Sequence, residues 1–301
     1  MALCPACASS RTVSTADRAP APYRFLRCEE CDLTFADPMT RVDGEWYRRQ
    51  EMYAVRDRLQ PPQLQWNHRQ LLRDRPAPGG RLLDVGCGTG AFLAAARTAG
   101  YRSYGFDFDS EAVRTARERF GLEELFTGDL LRLKKETGWD RFDLVTAFEV
   151  LEHAPSPSEF FGAIRDLIAP GGFAAISVPN RDRRPRFQYD WDLPPNHLTR
   201  WSGKALAGLL ERNGLRLLRT ARGWRQGAGF LHQHLRFGLI TGLLGKPKGS
   251  SSSSPSTIAS GAYRMKAAAV RCLAAPLDLG LRLAGDTGMT LYALAQKTDG
   301  E

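Results

Sequence analysis

Leu82-Leu83-Asp84-Val85-Gly86-Cys87-Gly88-Thr89-Gly90 reads as a short buried strand running into a glycine-rich turn, with a helix opening at Ala91. Three glycines at alternate positions let the backbone approach a ligand where any Cβ would collide. Asp84 stands just before the turn, where its carboxylate can meet a cationic or hydroxyl-rich ligand. Downstream, Arg102-Ser103-Tyr104-Gly105-Phe106-Asp107 is a second strand ending in an acid. Its distance from the first, about 20 residues, is the spacing at which a nucleotide-binding βαβ unit meets ribose hydroxyls.

Strand and helix alternate through residues 81–180. That pattern requires a parallel sheet with right-handed crossovers. Helix Ala91–Ala99 is expected to bury Phe92, Leu93 and Ala96, and Ser110 to cap the next helix with Glu111 in its first turn. Ligands in such sheets bind beyond the carboxyl ends of the strands. Asp84, Asp107 and Asp129 all fall at those ends, so they read as one site. A dehydrogenase is disfavoured, because the turn is Gly-x-Gly-x-Gly and not Gly-x-Gly-x-x-Gly.

Later segments follow in a recognisable order: Leu125–Asp129 as a third strand, then Phe142–Val145 as a fourth running to Val150-Leu151-Glu152-His153, then Leu167–Gly172 as the turn into a fifth strand at Phe173–Val178. With them the chain resembles the class I S-adenosyl-L-methionine (SAM)-dependent methyltransferases, in the branch with an amino-terminal zinc-binding module. It is similar to ubiquinone-type O-methyltransferases and to sugar C-methyltransferases. The resemblance implies an α/β, Rossmann-like, doubly wound sheet of seven strands, mostly parallel with one antiparallel strand, and a last strand near Met289–Lys297. It implies SAM contacts residue by residue. Asp84 lies near the methionine amino group; Gly86, Gly88 and Gly90 give backbone approach. Asp107 takes the ribose hydroxyls and Phe108 packs on adenine. Asp129 accepts from the adenine amine with Leu130 beside it, and Glu149 lies under the methionine portion.

Composition sets outer bounds. The chain has 301 residues, 43% hydrophobic and 25% charged, typical of a globular protein. A net charge of +9 and a pI near 9.5 admit a nucleic-acid, phosphate or acidic-membrane partner. The same numbers also follow from an arginine-rich composition, since most of the 42 basic residues are Arg. No secretory signal opens the chain and no long apolar run occurs, so a cytoplasmic protein without disulfides is expected.

Residues 1–40 form the first expected unit, a small zinc-ribbon-like module. Cys4-Pro5-Ala6-Cys7 and Cys28-Glu29-Glu30-Cys31 are two Cys-x-x-Cys knuckles, a paired spacing that points to structural zinc, with a redox dithiol as the other reading. Tyr23–Arg27 is the strand leading into the second knuckle, and Cys87 and Cys272 read as small buried residues. Residues 41–80 are a connector with Trp46, Tyr47, Tyr53 and Trp66, either capping the cofactor or packing the module on the core. The SAM-binding core is assigned to 81–224, with a helix over Lys204–Arg212 and a strand over Leu215–Thr220. A helical insert with a Ser-rich linker is assigned to 225–285, and a last strand and tail to 286–301. The insert's amphipathic stretches suit a lid, a peripheral membrane surface, packing on the domain or a dimer contact.

Two histidines are candidates for removing the acceptor's proton, since imidazole titrates near neutrality. His153 stands in Glu149-Val150-Leu151-Glu152-His153, which resembles the Glu-x-x-Glu-His segment of ubiquinone-type O-methyltransferases, with which a divalent cation has been associated. His197 stands in Trp191–Ser202, where the family places its acceptor-facing loop, and is the preferred base; a packing role is the alternative. His68, His232 and His234 sit in no motif. Arg181, Arg183, Arg184 and Arg186 before that loop suit an anionic acceptor, RNA phosphates or a solvated loop. The function expected is methyl transfer to an oxygen or carbon of a small molecule: a secondary metabolite, sugar nucleotide or lipid-like acceptor. An rRNA or tRNA base methyltransferase is the alternative.

Overall fold

The computed structural model describes residues 2–40, 64–183, 190–223 and 288–298. All of these except Arg183, Gly288 and Met289 belong to one compact unit. The insert at 225–285, Trp46, Tyr47, Tyr53, Arg184, Arg186, His232, His234 and Cys272 lie outside the described residues.

The amino-terminal segment is an antiparallel meander of β1 (Thr12–Ser14), β2 (Arg24–Cys28) and β3 (Thr34–Asp37). Helix α1 (Trp66–Asp74) leads to β4 (Arg81–Val85), the strand quoted first. Then come α2 (Ala91–Thr98), β5 (Arg102–Asp107), α3 (Ser110–Phe120), β6 (Leu125–Thr127), the short α4 (Leu133–Thr137) and β7 (Phe142–Phe148). Helix α5 (Pro157–Leu167) leads to β8 (Ile168–Pro179), followed by the two-residue β9 (Thr199–Arg200). The described chain ends with α6 (Gly203–Arg212), β10 (Leu215–Gly223) and β11 (Thr290–Lys297).

Seven strands form the main sheet in the order β10-β11-β8-β7-β4-β5-β6. β11 runs antiparallel to both neighbours, and every other adjacent pair is parallel. This is the doubly wound sheet that the sequence implies. Leu82, Leu83 and Val85 of β4 are fully buried, because helices cover both faces of a central parallel strand. On α2 the buried residues are Phe92, Leu93 and Ala96, as the periodicity requires.

Three local readings need correction. The cap of α3 is Asp109, not Ser110: Asp109 keeps an extended backbone and accepts from Glu111 N at 3.1 Å, while Ser110 is already helical. The Ala169–Gly172 stretch lies within β8 and shows as a register break, with Ile168 opposite Phe142 and Phe173 opposite Leu144. The first 40 residues also do not complete their own sheet. β9 joins it as a fourth strand, pairing Thr199 with Phe35 and Arg200 with Thr34.

Candidate active site

β4 lies between β5 and β7, so residues at the ends of all three strands converge. Asp84 stands opposite Gly105 of β5 and Thr146 of β7, one residue before β4 ends. Its buried Oδ1 accepts from Thr146 Oγ1 at 2.6 Å. Asp107 ends β5, buried, its Oδ2 accepting from Gly88 N at 2.7 Å and its Oδ1 from Asp109 N at 2.9 Å. A carboxylate has about four acceptor positions, so it can serve a ligand's hydroxyls as well as backbone donors. The next residue, Phe108, is 44% exposed, one of few large apolar side chains at the surface among the described residues.

The glycines of the turn have different reasons. Gly86 has φ +82, and a Cβ there would lie 2.3 Å from Val150 Cγ2. Gly88 has φ +50, and a Cβ there would meet nothing within 4 Å. The first glycine is thus demanded by the protein itself, whereas the second borders open space of the kind a ligand occupies. Asp129 is exposed and caps the turn Leu130–Arg132 by accepting from Leu131 N at 3.0 Å, with Leu130 buried beside it.

Beyond β7 the chain turns sharply. Glu149 takes φ 56, a left-handed conformation that a non-glycine residue holds only when its surroundings impose it. Its Oε1 accepts from Ser177 Oγ at 3.0 Å, and Ser177 accepts from Asn67 Nδ2 at 2.8 Å. Burial pushes the Glu149 carboxyl up to about 7, partly offset by the Ser177 hydrogen bond and reinforced by the nearby Asp192 charge. Glu152 is 1% exposed, and neither of its carboxylate oxygens has a hydrogen-bond partner. Burial first, and then the Glu149 charge, raise it well above the ordinary carboxylate range.

The two candidate histidines meet here, their ring centroids 4.8 Å apart and edge to face. His153 Nδ1 lies 2.7 Å from the carbonyl oxygen of Asn196, so that nitrogen carries the proton and donates. Burial and the His197 charge lower His153 to about 3, against which the Asn196 hydrogen bond works. An imidazole held there is a poor proton acceptor at neutral pH. His197 differs: its Nδ1 lies 3.0 Å from Asp192 Oδ1, and both side chains are buried. With Nδ1–H donated to that carboxylate, Nε2 is the nitrogen that carries the acceptor lone pair. Ligand atoms of Glu152, His153 and His197 lie within 4.8 Å of one another; Glu149 is not part of that group.

Asp84 and Asp107 therefore lie together at the ends of β4 and β5, and Glu149, His153 and His197 come together beyond the end of β7. Asp192, Thr146, Ser177 and Asn67 were not singled out from sequence. Only Asp192 had a signal, an acid five residues before His197 in the same loop. The arginine cluster is divided. Arg181 donates from Nη2 to Asp32 Oδ2 at 2.6 Å and from Nε to Asp182 Oδ1 at 3.1 Å, which commits it to protein partners rather than to an anionic acceptor. His68 sits between Phe92 and Phe148, with centroids 4.9 and 5.3 Å away, and burial lowers it to about 4, which fits packing.

The four knuckle cysteines converge separately. Cys4 Sγ lies 3.5 Å from Cys31 Sγ, and Cys7 Sγ lies 3.6 Å from Cys28 Sγ, with all four within 4.8 Å. Thiolates about 2.3 Å from a tetrahedral zinc stand about 3.8 Å apart. Those separations fit a closed four-thiolate shell and are far too long for disulfides. The hydrogen bond that Cys4 and Cys31 share lowers the Cys31 thiol, with burial opposing, and raises that of Cys4, so without a metal the two hold one proton between them.

Residues 54–220 match the family model described as a methyltransferase domain. The chain belongs to that family. This methyltransferase is 26% identical over 167 residues to the ubiquinone biosynthesis O-methyltransferase of Psychrobacter cryohalolentis, covering 50% of this chain and 65% of that one. It is 31% identical over 161 residues to the protein of the same name from Paraburkholderia phymatum, covering 50% and 66%. The methyltransferase thus spans just under two thirds of the length of these curated relatives. Phosphoethanolamine N-methyltransferase 2 of Haemonchus contortus, solved in complex with SAM, superposes with a TM-score of 0.55 at 15% identity, over 88% of this chain and 62% of that one. The seven-stranded sheet is that of the class I SAM-dependent methyltransferases.

Proposed function

We propose that the protein binds SAM at the carboxyl ends of β4, β5 and β7 and transfers its methyl group to an oxygen or carbon nucleophile of a small-molecule acceptor, with His197 as the base. The observation that carries the reading is the Asp192–His197 pair, buried beside Glu149 and Glu152 in the segment after β8. The names of the relatives favour oxygen over carbon.

The residues present fit SAM. Asp84 offers a buried carboxyl to an ammonium, Asp107 offers acceptors to vicinal hydroxyls, and Gly88 leaves space at the turn. Phe108 supplies an exposed ring for adenine, and Asp129 keeps a carboxylate oxygen with which to accept from the adenine amine. When bound, SAM supplies an electrophilic methyl carbon on a cationic sulfur. His197 Nε2 takes the proton that the acceptor hydroxyl loses as its oxygen becomes nucleophilic. Asp192 fixes the tautomer through Nδ1 and then faces the imidazolium, whose charge it stabilises. His153, held neutral, packs against the His197 ring. Burial of both excludes water from the path of the proton. The knuckle cysteines Cys4, Cys7, Cys28 and Cys31 would hold a structural zinc, with no open coordination position for chemistry.

The test is methyl incorporation from labelled SAM into a catechol or hydroquinone acceptor and, in parallel, into total RNA. Label in the phenol, lost about 100-fold or more in His197→Ala with SAM affinity retained, is the expected result. Label confined to RNA, or full turnover in His197→Ala, overturns it.

A further inference from the structure

The segment that carries His197 is fastened to the cysteine module on both sides, and one residue ties both ends. Asp32 follows Cys31 directly and holds φ 65. Its Oδ2 accepts from Arg181 Nη2 at 2.6 Å and from Ser202 Oγ at 2.7 Å. Its carbonyl oxygen also accepts from Arg181 Nη1. Arg181 lies where the chain leaves β8, and Ser202 where it enters α6, so a single carboxylate in the second knuckle clamps the start and end of the intervening loop. Arg181 N donates to Trp201 O at 2.9 Å, which closes the loop's neck.

Within the loop the module makes further bonds. Ala36 N donates to Leu198 O at 2.8 Å, and Leu198 N donates to Glu152 O at 2.8 Å. The residue after His197 is therefore bonded through its carbonyl to the cysteine module and through its N–H to the turn after β7. β9 pairs with β3 immediately beyond, and the Arg200 guanidinium lies 3.9 Å from the centroid of the Phe25 ring. His197 stands at the head of a strand whose partner strand belongs to the module.

We propose that the four-cysteine module is the frame that positions His197, with Asp32 as the positioning residue that locks the loop to it. This rests on the reading of His197 as the base. A segment of about 40 residues cannot bury a core of its own, so its order depends on the metal its cysteines fit. The shape of β3, and through it the place of His197, then depends on that metal as well. The zinc site acts on chemistry it does not touch.

Amide hydrogen exchange on the full-length, zinc-loaded chain tests this without any acceptor, so it stands apart from the test of His197 as base. Asp32→Gly suits the positive φ and removes the carboxylate without straining the backbone. In that variant the amides of 198–202 should exchange about tenfold faster or more, while those of Leu82–Val85, the zinc content and the SAM affinity stay unchanged. Asp32→Asn keeps an accepting oxygen and should restore most of the protection. Stripping zinc with a chelator should reproduce the loss at 198–202. Should Asp32→Gly shed its metal, Arg181→Gln, which lies outside the module, should show the same local loss with zinc kept. Unchanged protection at 198–202 in the zinc-loaded variants, or a loss that extends equally to Leu82–Val85, overturns the proposal.

Discussion

Burial pushes the Asp84 carboxyl up to about 7, with the Thr146 hydrogen bond opposing and the Asp107 charge adding to the rise. An ammonium arriving beside it favours the carboxylate, so SAM binding should release a proton below pH 7. Affinity should then rise about tenfold per pH unit up to pH 7 and level off above. Calorimetry in buffers of different ionisation enthalpy measures both quantities; Glu149→Gln, with Asp84 intact, should keep the dependence. A dissociation constant that is flat between pH 5.5 and 8 would remove Asp84 from this role. The sign for stability is opposite. A carboxyl whose folded pKa exceeds its unfolded value of about 3.9 favours folding only at low pH, and that favour is lost as pH rises from about 4 to 7. Asp84→Asn should therefore raise the melting temperature of the ligand-free protein at pH 8, by roughly 2–4 °C for each kcal/mol recovered, while abolishing SAM binding. The two turn glycines separate in the same way. Gly86→Ala meets Val150 at 2.3 Å and should destabilise by about 2 kcal/mol or more. Gly88→Ala meets nothing and should cost about 1 kcal/mol for its φ, yet lose most SAM affinity. Thermal melts beside binding isotherms distinguish the two. The placement of these acids and glycines at the strand ends was legible in sequence because each follows a strand at fixed spacing. Asp192 was not read as a partner of His197, since nothing in a loop's sequence tells which side chains face one another.

Among elements, the alternating core was legible because periodicity and punctuation agree over long segments. The exceptions are short or long-range. The α3 cap was read one residue late because Asp109 and Ser110 are both good caps, and Glu111 lies in the first turn either way. Asp109→Ala should cost about 1 kcal/mol and Ser110→Ala almost nothing, by denaturant titration. β9 left no trace in the sequence: two residues carry no period, and their partner β3 lies far upstream. The function of Arg181 was misread for the same reason, since its anion proved to be Asp32 of the cysteine module and not a ligand.

For the whole molecule, paired Cys-x-x-Cys spacing made the convergence of four cysteines legible from sequence, but the reach of their module was not. A boundary at residue 40 treats the module as an appendage, whereas its sheet is completed by residues 199–200. If the module holds zinc as proposed, a free energy of about 10 kcal/mol for structural zinc makes its loss the largest single-site perturbation expected here. Chelation, or Cys4→Ser, should lower the melting temperature well beyond any variant above, with zinc loss followed by mass spectrometry. A melting curve unmoved by complete metal removal would show that the module stands without it.

The placement of β11 has a consequence for how such a chain can be made. Residues 290–297 are the last described strand in sequence, yet they occupy an interior lane of the sheet, hydrogen-bonded along their length to β8 on one side and β10 on the other. Among the described residues β10 has no other neighbour in that sheet. Until residue 297 has been synthesised, β8 lacks its native partner on that side, and so does β10. A nascent chain stalled short of that point keeps an edge that can template intermolecular strand pairing, which a chaperone would shield.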